Sequence, residues 1–142
     1  MQNYANHKRV HPLFHRTLLP VLFLTIIGAG VNFGLSIGDH QRLYSASLIL
    51  VLSICVFLLA ILARVFALAA QDRAIRAEEN LRHYVLTGKL LDSRLTIRQT
   101  VALRFASDAE IPALAARAAA ENLAPDAIKR AVKEWRADEH RV

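Results

Sequence analysis

Apolar residues crowd the first half of this chain and thin out in the second. From Thr17 to Ala63 the only charged side chains are Asp39 and Arg42, and they divide two long apolar runs. A helix needs about 20 apolar residues to cross the ~30 Å hydrocarbon core of a bilayer. The pattern therefore predicts a first membrane span over 17–38, a turn over 39–42 and a second span over 43–63. A turn this short makes the two spans an antiparallel hairpin with nothing substantial on its far side.

The second span has no obvious place to stop. Leu43 to Thr87 contains neither Pro nor Gly. At ~1.5 Å per residue, one continuous helix over this stretch runs roughly 65 Å, about twice the apolar core. Residues 64–87 are then a water-facing extension, with Asp72–Arg76 and Glu78–Arg82 as solvated pairs at helical spacing. Gly88 reads as the left-handed stop. Beyond it, Thr96 with Gln99 and Ser107 with Glu110 fit capping boxes, and Pro125 fits the first position of a last helix. Short helices are expected over 97–106, 108–122 and 125–138. Ile97, Val101, Leu103, Phe105, Ile111, Leu114, Ala118, Leu123, Ile128, Val132 and Trp135 are the candidate core. That core is thin for independent stability, so the module of residues 88–142 should pack on the long helix or on a copy of itself. The fold class is all-α: a transmembrane helical hairpin, its second helix extending into the cytoplasm, followed by a small bundle of short helices.

Small residues mark the candidate packing faces. Gly30, Gly34 and Gly38 are four apart and would let another helix approach closely. Thr25, Gly28, Asn32 and Ser36 form a second strip, with the Asn32 amide the most polar group in the span. Two strips suggest two neighbours: the second span, and a further protomer or another membrane protein. Along the long helix a seven-residue repeat links Ala46, Ser53, Ala60, Ala67, Ala74 and Leu81. A companion row, Ile49, Val56, Ala63, Ala70, Ala77 and Tyr84, lies three residues on. Such a seam favours left-handed, near-parallel packing. Arg16 stands as far before Gly38 as Arg64 stands after Arg42. The two arginines should therefore mark the membrane edge, where long cationic side chains reach the headgroups.

Charge orients the hairpin. The net charge is +6, and Lys8, Arg9 and Arg16 precede the first span with no acid among them. The positive-inside rule puts residues 1–16 in the cytoplasm, and a two-span chain then returns its C-terminus to the same side. The first apolar run is too long for a signal peptide and lacks a cleavage site, so it reads as a retained span. Cys55 is the only cysteine, which excludes an internal disulfide and a zinc motif. His7, His11 and His15 are four apart, but Pro12 interrupts them and no carboxylate supports them, so an interfacial flank is preferred to a metal site. Lys129, Arg130, Lys133 and Arg136 are interleaved with acids. That argues against DNA binding and for a face resting on the inner leaflet. There is no phosphate loop, nucleophile elbow or metalloprotease motif. No cofactor, nucleic-acid partner or small-molecule substrate is implied, and no enzyme is expected.

Three segments carry a resemblance. Gln71-Asp-Arg-Ala-Ile-Arg-Ala-Glu-Glu-Asn-Leu-Arg-His83, Leu103-Arg-Phe-Ala-Ser-Asp108 and Trp135-Arg-Ala-Asp138 resemble a family of small bacterial membrane proteins defined only as a domain of unknown function. The likeness covers essentially the whole chain. It implies a multi-pass protein of the bacterial inner (cytoplasmic) membrane and assigns no functional residue. The expectation is a non-enzymatic scaffold or accessory subunit presenting a cytoplasmic helical module. The alternative is a subunit of a small oligomeric channel or transporter, with Asn32, Ser36 and Ser53 along a polar path.

Overall fold

The computed structural model describes residues 3–6 and 10–138. Among them every regular element is a helix. A π-helical turn, Leu13–Leu18, leads into α1 (Leu19–Leu35), followed by α2 (His40–Thr87), α3 (Ile97–Leu103), α4 (Ile111–Ala120) and α5 (Pro125–Ala131). The chain forms two compact units, residues 10–66 and residues 1–9 with 67–142; α2 contributes to both.

In the first unit, helix begins before the expected Thr17. It starts at Leu13, so Pro20 lies inside a longer helical segment. Proline has no amide to donate, and its ring crowds the carbonyl four residues back. The backbone answers with a wider turn, in which the Leu19 amide donates to the carbonyl of Phe14, five residues back. Helix also ends early, at Leu35. Gly38 adopts φ +101° and makes the turn. Asp39 then caps α2, accepting from the Arg42 amide at 3.2 Å and pairing with its guanidinium at 3.3 Å.

The hairpin closes on a face other than the glycines. The covered side of α1 is Leu22, Ile26, Ala29, Phe33 and Ser36, and the covered side of α2 is Leu43, Ala46, Leu50, Ser53, Phe57 and Ala60. Both sets step by three and four, the spacing of a left-handed pair. The row through Ala46, Ser53 and Ala60 is as expected. Its companion is Leu43, Leu50 and Phe57, while Ile49, Val56 and Ala63 are exposed. A Cβ built on Gly28, Gly30 or Gly34 would meet nothing within 4 Å. Among the described residues, nothing therefore approaches these glycines closely.

In the second unit, α2 stops where expected. Gly88 takes φ +72°, and its amide donates to the Tyr84 carbonyl at 2.7 Å. The Thr87 hydroxyl donates to the His83 carbonyl at 2.7 Å. The His83 ring reaches the Lys89 carbonyl at 2.7 Å and braces the turn. In the linker, Arg94 bonds to Asp92 and holds its carboxyl down from 3.8 to about 2.

The module packs its short helices around Leu95, Ala102, Leu103, Ala106, Ile111 and Ile128. The Thr96–Gln99 capping box forms as expected. The Gln99 amide also donates to the Leu123 carbonyl at 2.9 Å and to Asn122 at 3.2 Å, tying the start of α3 to the end of α4. The Ser107–Glu110 box does not form. Among the described residues the buried Ser107 hydroxyl has no partner, and Glu110 instead accepts the amides of Lys133 and Glu134. That contact accompanies the early end of α5 at Ala131, where a helix to Asp138 was expected. Val132 is extended and the chain bends at Lys133 and Glu134. Trp135 bridges to Ala106, and the Arg136 amide donates to the Phe105 carbonyl at 2.8 Å.

Two outcomes follow for the module. Gly88→Ala should lower stability by about 1 kcal/mol, because the side chain has room but the backbone angle is wrong. Gly88→Asn, which tolerates that angle, should cost less; equal losses in thermal melts of the full chain would contradict this account. The Asp92–Arg94 pair should hold above about pH 4 and be lost as the pH falls toward 2, because a lowered folded pKa stabilises only the ionised state. An Asp92 carboxyl titration followed by NMR checks the direction.

Candidate functional site

A polar cleft of about 380 Å³ lies in the second unit, between residues 71–79 of α2 and the C-terminal segment. Gln71, Ala74, Ile75, Glu78 and Glu79 form its α2 wall; Arg104 and residues 136–138 form the other. Its organising pair is Glu79 and Arg82, whose side chains are 7% and 12% exposed. Arg82 was expected to reach Glu78, four residues back, in water. It pairs instead with Glu79 at 3.0 Å, under the module. The same guanidinium donates to the Ala106 carbonyl at 2.8 Å and, through Nε, to Asp108 at 2.7 Å. The other Glu79 oxygen faces Arg136 at 3.7 Å.

Arg104 ends α3 and is buried. Its Nε donates to Asp138 at 2.7 Å and its terminal nitrogen to the Val101 carbonyl at 2.9 Å. The guanidinium lies 4.3 Å from the centre of the Phe105 ring, which packs against Trp135 at 4.8 Å. Burying a charge is tolerable only when an opposite charge and hydrogen bonds replace water. Both buried guanidiniums meet that condition. The arrangement fastens a small module to a long helix, assisted by the Asn80 side chain, which accepts the Leu91 amide at 3.2 Å.

A second polar cluster lies on α5. The Tyr4 hydroxyl donates to Asp126 at 2.7 Å and accepts from Arg130 at 3.1 Å, while Arg130 pairs with Asp126 at 3.0 Å. This clasp was not legible in the sequence, because nothing local connects residue 4 with residue 126. It engages Arg130, and α5 ends before Lys133 and Arg136. The four cations expected along one helix face are therefore not aligned on it.

The residues singled out from the sequence are dispersed. Gly30 is half-buried, Gly34 exposed, and Gly38 off the helix in the turn. The Asn32 side chain is exposed; its carbonyl accepts the Ser36 hydroxyl at 2.7 Å. Ala60 and Ala67 are half-buried and Ala74 is exposed. Arg64 is half-buried with its guanidinium 5.8 Å from the Phe14 ring centre, and Arg16 is exposed. The His15 ring contacts the His11 carbonyl at 3.0 Å, and His7 lies outside the described residues. Sequence reasoning missed Arg104 and Glu79 as buried charges. The available signal was their place in strongly apolar or alanine-rich local patterns, Leu103-Arg104-Phe105 above all.

These features define an all-helical chain with two helices long and apolar enough to cross a membrane and a small polar-fastened module. The chain belongs to the family of unknown function DUF6526, which it matches over residues 1–142. No curated protein and no solved structure matched it.

Removing one partner of the buried pair should be severe. Arg82→Met leaves Glu79 only its longer contact with Arg136 and should cost about 3 kcal/mol, whereas Asp108→Asn, at an exposed carboxylate, should change stability by about 1 kcal/mol or less. Denaturant unfolding of the two variants gives the comparison, and similar losses would mean the pair is not the fastening.

Proposed function

We propose that this protein is a non-enzymatic hairpin of the inner membrane that holds a helical module at the cytoplasmic surface as a scaffold or accessory subunit. The observation that carries this reading is the exposure of the apolar helices. In the most apolar stretch of each, only 6% and 11% of residues are buried. A core helix of a soluble protein would be mostly covered. Here Phe23, Leu24, Leu52, Leu59 and Phe66 all stand open, more contiguous apolar surface than water tolerates. Lipid is the solvent that fits.

Sidedness has separate support. Tyr4 precedes both apolar helices and Asp126 follows them, yet their side chains are hydrogen-bonded. Two crossings return the chain to its starting side, and the cations before the first span make that side the cytoplasm. The hydroxyls of Thr25, Ser36 and Ser53 each donate to a carbonyl of their own helix, so they favour packing over a polar conduction path.

Topology tests the proposal directly. Alkaline phosphatase inserted between Gly38 and Asp39 should be active, and the same reporter joined after Val142 should be inactive. The opposite pattern, or release of the full chain by alkaline carbonate, would overturn the reading.

A further inference from the structure

Past the hairpin, α2 divides cleanly into two faces. Ile75, Glu79, Arg82 and His83 are buried or half-buried, and the last three fasten the module. On the opposite face Ala70, Ala74, Ala77, Leu81 and Tyr84 are all exposed. Leu81 and Tyr84 are 64% and 52% accessible, and Val85 beside them is 74%. The exposed residues step by four and three, which makes them the a and d positions of successive heptads. Ile49, Val56 and Ala63, at the same heptad position as Ala70, are exposed as well.

The charges beside this face name its occupant. Arg73 stands at position g and Glu78 at position e of the next heptad; both are exposed. Among the described residues neither takes part in an ion pair. In a parallel pair of identical helices, g of one chain lies against the following e of the other. Arg73 then meets Glu78 of the second copy, and the twofold axis repeats the contact. An antiparallel pair would oppose Arg to Arg and Glu to Glu.

We propose that α2 pairs in parallel with α2 of a second copy of this chain along Ala70 to Tyr84, with Arg73 and Glu78 as reciprocal ion pairs. The alanines allow close approach and Leu81 and Tyr84 complete the apolar seam. The parallel direction rests on the membrane reading above, because copies threaded alike into one bilayer hold α2 in the same sense and at the same depth.

The test is disulfide cross-linking of the full chain in native membranes, in a Cys55→Ser background. Single cysteines at Ala70, Ala77 and Tyr84 should give covalent dimers. Cysteines at Leu68 and Leu86, exposed but off the seam, should not. With the Ala77 cysteine present, Arg73→Glu or Glu78→Arg should reduce the dimer about ten-fold, and the two together should restore it. Absent dimers, dimers at all positions alike, or single charge reversals without effect would each overturn the proposal. Carbonate extraction of the same membranes keeps the two readings apart: a chain that stays embedded without cross-linking refutes only the pairing.

Discussion

A helix in an apolar solvent must satisfy its own amides and carbonyls, because nothing around it will. α2 meets that requirement along its whole length. From His40 to Thr87 no residue interrupts the backbone ladder. The helix ends only where other groups take over its last carbonyls. The Gly88 amide does so for Tyr84 and the Thr87 hydroxyl does so for His83. Both units of the protein include part of this one element.

The two units solve opposite problems. The hairpin leaves large apolar side chains open and covers small ones, Ala29 and Ala46, where its helices meet. The module covers its apolar residues and spends polar side chains of α2 on attachment: Glu79, Asn80, Arg82 and His83. Apolar contact alone gives little directional preference. Guanidinium and carboxylate groups have fixed donor and acceptor geometry, so they set how a small core sits on a featureless alanine-rich rod.

What could be read from the sequence follows the range of the physics. Gly88, the Thr96–Gln99 box and Pro125 were legible because each is a local signal acting within one turn. The two apolar helices were legible from hydropathy. Boundaries failed where a neighbour distant in sequence intervened. Glu110 accepts the amides of Lys133 and Glu134 beyond the end of α5 and so cannot serve Ser107. The face of α1 covered within the chain is a mixture of Leu, Ile, Ala, Phe and Ser, which residue size alone does not pick out. The Glu79–Arg82 pair defeated the reading for a different reason. Spacings of three and four both place charges together, and only the module above them decides between the two.

The Tyr4 clasp imposes an order of events. Its acceptor lies 122 residues further along the chain. When the ribosome has made the two apolar helices, Asp126 does not yet exist. The clasp can therefore close only after both apolar helices have been made. Tyr4 must wait for Asp126, so a residue made before both helices finds its partner only after them.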